Sequence, residues 1–99
     1  MKQETNRLKD NCNLVEVRLN LTAGSLTKKT RKREVVLGRW IMFSYLRQVG
    51  LTLVEIASLF NMHHTNVVYG LRECMTIREN DYPYDREYRK IMGELILTN

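Results

Sequence analysis

Apolar residues recur along this chain at helical spacing, with almost no strand-like alternation. Leu8, Cys12, Val15 and Leu19 follow one another at steps of four, three and four, so the spacing predicts a first amphipathic helix over about residues 5–19. The polar stretch NLTAGSLTKK comes next, where Thr22 can cap a short helical turn that buries Leu26. A longer helix is expected over about residues 35–49, with Val36, Ile41, Tyr45, Leu46 and Val49 as its inward face and Trp40 and Phe43 widening it. Gly50 then suits the left-handed residue that stops a helix. Beyond it, Thr52 and Glu55 stand at the reciprocal spacing of a capping box, and Leu53, Ile56, Ala57 and Phe60 fall on one helical face.

Asn61 tolerates the left-handed backbone of a sharp turn. Another helix is expected from near His63, carrying Val67, Val68, Leu71, Cys74 and Met75 inward and fraying near Glu79 and Asn80. The chain should then turn at Asp81-Tyr82-Pro83, which holds the only proline. A last helix follows over about residues 85–97, with Tyr88, Ile91, Met92 and Leu95 as its stripe. The expected fold is one all-α domain of about five helices.

Two of these helices are joined so tightly, with the small Ala57 where they must approach, that they read as a helix-turn-helix. The second helix would present His63, His64, Thr65 and Asn66 at its exposed N-terminal end, the part that meets base edges in the major groove. Apolar residues at Ile56, Phe60, Met62 and Val67 also suit a helical hairpin that binds nothing, so the rest of the chain must decide.

Charge is the next discriminator. Sixteen basic residues against eleven acidic ones give a formal net charge of +5, which favours a polyanionic partner. Five of the basic residues, Lys28, Lys29, Arg31, Lys32 and Arg33, fall within the run KKTRKRE. Such a run can be a solvated loop. Beside a helix-turn-helix it reads better as an arm along phosphates with one arginine entering the minor groove. Arg39 and Arg47 lie two turns apart on what reads as a more polar side of the long helix, where both could reach a DNA backbone. Trp40 reads as core rather than as a base-stacking platform.

Other classes find little support. No apolar run approaches the roughly 18–20 residues needed to cross a bilayer, and MKQETNRLKDNCN lacks the apolar region of a secretory signal. Cys12 and Cys74 have neither metal-ligand spacing nor a disulfide framework around them, so a reducing, cytoplasmic setting is expected. The N-glycosylation consensus at Asn20-Leu21-Thr22 is set aside on the same ground. The five glycines form no nucleotide-cradling loop, and no cofactor is expected. His63 and His64, adjacent on a helix, would point about 100° apart, a poor start for a metal site. No carboxylate or cysteine lies near them in sequence, and the chain is not expected to be an enzyme.

From about Val15 to Leu97 the sequence resembles the C-terminal DNA-binding domain (domain IV) of the bacterial replication initiator DnaA. The resemblance is carried by LNLTAGSLTKKTRKREVVLGRWIMFSYL, then LTLVEIASLF, then HHTNVV. It implies a Trp-repressor-like helix-turn-helix bundle that binds duplex DNA near the nucleoid. It also implies that Arg31 enters the minor groove and that Arg39, Arg47 and Thr52 contact phosphate. His64 and Thr65 would meet bases, the threonine methyl packing on a thymine methyl. Asn66 replaces a second threonine and can still bond to phosphate or adenine.

Departures matter as well. Met62 and His63 stand where the family has arginine and aspartate, Gly38 where it usually has proline, and the loop before Thr52 is a residue shorter. Each altered base contact is worth about 1–3 kcal/mol of discrimination, so a changed target sequence is expected. The nucleotide-hydrolysing module of a full initiator is missing from this sequence, which reads as the DNA-reading piece as a free-standing protein in the control of replication or transcription. The rival reading is an interaction module that turns the same surface toward a replication initiator or another protein. Dimerisation through surplus apolar residues on the first and last helices stays open.

Overall fold

The computed structural model describes residues 2–99, with side chains from residue 7 onward. Five α-helices form among the described residues: α1 Lys2–Arg18, α2 Arg33–Gln48, α3 Leu53–Leu59, α4 His64–Asn80 and α5 Tyr82–Thr98. A short 3-10 helix, Ser25–Thr27, lies between α1 and α2. The all-α expectation holds, and no strand occurs among the described residues.

The fold is built around α2, which touches every other helix and the 3-10 turn. Its middle is therefore buried nearly all round: Gly38 through Phe43, Tyr45 and Leu46 are all inside. Val15, Leu26, Ile41, Met42, Ile56, Val67, Ile91 and Leu95 are wholly shielded from solvent, and each such aliphatic side chain contributes about 1.5–3 kcal/mol relative to exposure. Trp40 lies inside, as expected.

Two small residues set how closely the layers approach. A Cβ on Gly38 would sit 3.1–3.3 Å from methyl groups of Leu19, Leu26 and Leu21. One on Gly70 would collide with Trp40, 2.6 Å from Cδ1. α4 can lie on α2 because position 70 carries no side chain.

The structure departs from the periodicity in several places. Val49 is 53% exposed, because α2 stops at Gln48 and Gly50, at φ +109, turns the chain away. The Leu51 amide closes that stop on the Leu46 carbonyl at 3.1 Å; at the other end of α2, Val35 is buried and Val36 only partly so. Met75 is 61% exposed. The inward face of α4 runs through Val67, Gly70 and Cys74, and Met75 lies about 100° further round.

Thr22 does not cap the 3-10 turn with its side chain; its carbonyl accepts from the Ser25 amide, and Gly24, at φ +83, occupies the capping position. Finally, α5 starts at Tyr82, earlier than expected. The Asp81 carboxylate accepts from the Tyr84 amide at 3.1 Å, and Pro83 lies in the first helical turn, where its missing N–H is harmless.

Candidate nucleic-acid interface

The helix-turn-helix forms for local reasons. Thr52 Oγ1 accepts from the Glu55 amide at 3.1 Å and Glu55 Oε1 accepts from the Thr52 amide at 2.8 Å, completing the capping box. Hydrogen bonds from the Thr52 amide and hydroxyl hold the Glu55 carboxyl below its ordinary pKa. After α3, Asn61 adopts φ 54, and the Met62 amide bonds back to the Ala57 carbonyl at 2.9 Å. That closure reverses the chain within a few residues and brings α4 across α3.

The α4 tip is exposed at His63, His64, Thr65 and Asn66. His63 is not the first helical residue but the cap. Its Nδ1 accepts from the Thr65 amide at 3.2 Å and lies 2.9 Å from Thr65 Oγ1. An Nδ1 that accepts carries no proton, which places the ring hydrogen on Nε2, available to an outside acceptor. Because His63 is outside the helix, the two imidazoles do not diverge as adjacent helical residues would. Their centroids lie 4.4 Å apart. No third metal-ligating side chain joins them among the described residues. Met62 is half-buried against the core.

The basic loop is anchored from beneath. The Glu16 carboxylate, only 1% exposed, accepts from the Gly24 amide at 3.0 Å and the Leu26 amide at 3.1 Å. Arg39 reverses the expectation of a polar-side arginine. It is 9% exposed, and its guanidinium donates to the carbonyls of Leu26 and Lys28, both at 2.9 Å, with a longer contact of 3.5 Å to Thr30. Burial lowers its pKa, but a guanidinium remains a cation at neutral pH. Arg31, Lys32 and Arg33 are exposed. So is Arg47, which donates to the Leu51 carbonyl at 3.0 Å and thereby sits next to Thr52.

Loop and tip border one cleft of about 550 Å³. Thr27 through Arg31 form one wall, Phe60, Asn61, Met62 and Asn66 the other, and Phe43 and Arg39 also line it. Phe43 and Phe60 meet edge to face at 5.2 Å.

Residues 12–74 match the family described as bacterial dnaA protein helix-turn-helix. The chain belongs to that family. The matched stretch runs from Cys12 in α1 to Cys74 in α4, and so takes in Glu16, the basic loop, Arg39 and the tip; α5 lies beyond it. Membership in the DnaA helix-turn-helix family points to DNA binding, which no part of the geometry opposes. No described helix is long and apolar enough to cross a membrane.

Sequence reasoning passed over several residues that the structure places on or beside the loop and the α4 tip. Tyr69 and Arg72 are exposed on α4 and stand four and seven residues after Thr65, on the same helical face. Helical spacing counted from Thr65 could have found them. Asn61 was read only as a turn residue, yet it lines the cleft. Glu16 gave no local signal, since its partners lie eight and ten residues on.

Proposed function

We propose that this protein reads duplex DNA by sequence, with the α4 tip in the major groove and the basic loop on the adjacent minor groove, in the control of replication initiation or transcription. His63, His64, Thr65 and Asn66 face the bases, Tyr69 and Arg72 continue that face, and Arg31 enters the minor groove. Lys32, Arg33, Arg47 and Thr52 contact phosphates. The DNA strand that separates the two grooves crosses the cleft between loop and tip.

The observation that carries this reading is that shared cleft, in a chain of the DnaA helix-turn-helix family. An arm and a recognition helix can engage neighbouring grooves of one duplex only if they flank a single strand-wide gap. The replaced readers Met62 and His63 lie at the same tip, so the preferred sequence differs from that of family members with arginine and aspartate there.

Selection of bound duplexes from a random library, followed by a salt titration, tests the proposal. A selected site bound with a log–log salt slope of about −0.9 per phosphate contact, its preference relaxed by His64→Ala, is the expected result. A shallow slope, or site preference unchanged by His64→Ala, would remove the assigned surface and favour a protein partner.

A further inference from the structure

The clearest feature outside the exposed contact surface is the pair of buried charges under the basic loop. Leu26 is held at three points: its amide by Glu16, its carbonyl by Arg39, and its side chain in the core. Arg39 then reaches on to the carbonyls of Lys28 and Thr30. Lys28 itself is extended, at φ −87 and ψ 155, but the chain bends at Lys28 and Lys29 and the Thr30 amide returns to the Lys28 carbonyl at 3.0 Å. A short arc thus offers the carbonyls of Leu26, Lys28 and Thr30 to Arg39. One planar guanidinium can therefore meet carbonyls spaced two residues apart with donors on separate nitrogens, a spread wider than the three hydrogens on the single nitrogen of a lysine. Left unheld, five positive charges within six residues would repel one another and spread into solvent.

We propose that Glu16 and Arg39 form one buried clamp that positions the basic loop, so that Arg39 supports duplex binding by fixing loop carbonyls and not by neutralising a phosphate. This rests on the reading of the loop as the DNA-contacting arm. Both are positioning residues: Glu16 fixes amides, Arg39 fixes carbonyls, and Arg31 makes the contact. Preorganisation raises affinity because the ordering has already happened before the partner arrives.

The test compares Arg39→Lys, Arg39→Gln and Glu16→Gln with wild type and with Arg31→Ala. One measurement is affinity for a short fluorescein-labelled duplex across a salt series. The other, without DNA, is the rate of trypsin cleavage in the loop relative to cleavage in α4 and α5, with fragments identified by mass spectrometry. The clamp predicts that all three clamp variants bind on the order of tenfold more weakly, including Arg39→Lys, which keeps the charge. Arg39→Gln should retain the wild-type salt slope, whereas Arg31→Ala loses about 0.9 of it. Loop cleavage should rise about tenfold in the clamp variants and stay local.

Near-normal binding by Arg39→Lys, a slope reduced by about 0.9 in Arg39→Gln and unchanged loop cleavage would together overturn the proposal and return Arg39 to phosphate contact. An increase in cleavage spread equally over α4 and α5 would also overturn it, by showing general unfolding. Loop-confined cleavage in a protein whose wild type ignores duplex DNA would uphold the clamp and refute only the reading of the loop as a DNA arm.

Discussion

The same substitution, glycine to alanine, should have opposite effects in two helices of this protein. Alanine is better than glycine inside a helix by about 1 kcal/mol. At Gly93 in α5 an added Cβ meets nothing within 4 Å, so Gly93→Ala should keep most of that gain, about 0.5–1 kcal/mol. At Gly70 in α4 the Cβ would fall 2.6 Å from Trp40 Cδ1, 2.8 Å from Nε1 and 3.0 Å from Phe43 Cδ2. Ordinary carbon contacts need about 3.5–4.0 Å, so α4 and the indole must part by roughly 1 Å. Trp40 cannot yield easily. It is buried, and the Tyr69 ring stands edge-on to it at 6.2 Å.

Overpacking of this kind costs about 1–3 kcal/mol, which outweighs the propensity gain and leaves Gly70→Ala less stable by about 0.5–2 kcal/mol. In a domain of this size each kcal/mol moves Tm by roughly 4–8 °C. Urea unfolding followed by fluorescence of Trp40, the only tryptophan, would give both values. A Gly70→Ala protein stabilised as much as Gly93→Ala would refute the claim that the α2–α4 contact sets the seat of α4.

Three further outcomes are expected. Thr52→Ala removes the hydroxyl half of the capping box and should cost about 1 kcal/mol in urea unfolding; a loss under a few tenths would mean the α3 start is held by packing alone. The Asp85 carboxyl is held below its ordinary value of 3.8 by hydrogen bonds from Arg89 at 2.8 Å and Arg78 at 2.6 Å. A lowered folded-state pKa contributes stability above the unfolded value that is lost as pH falls through the folded one. Acid titration of the urea midpoint below pH 3.8 should therefore be flatter in Asp85→Asn than in wild type, and parallel curves would contradict the pairing. The Cys12 thiol is pushed up to about 12, first by burial and then by Glu16, against the opposing pull of Arg39. With Cys74 also buried, neither thiol should react with a thiol reagent at neutral pH until urea unfolds the chain.

How far the sequence disclosed this molecule follows from the range of each interaction. The capping box at Thr52 and Glu55 and the turn at Asn61 use partners within a few residues, so local spacing was enough to find them. The centre of α2 was legible because its apolar residues outnumber what one face can hold. Val49 and Met75 were misassigned because periodicity does not register where a helix stops or how wide its inward face is. Arg39 and Glu16 were the deeper failure. Charged residues read as surface unless partners are known, and theirs are backbone groups 8 to 13 residues away, brought close by folding. His63 escaped because an imidazole is an uncommon cap, set against the usual oxygen-bearing side chains.

Amide chemical shifts recorded as a selected duplex is added test the central claim most directly. The DnaA-type surface predicts that shifts concentrate at residues 28–33, at Thr52, at Asn61 through Asn66 and at Tyr69 and Arg72, while the α5 amides stay in place. Shifts centred on α5 and the far side of α1, with the loop and α4 tip unmoved, would contradict it.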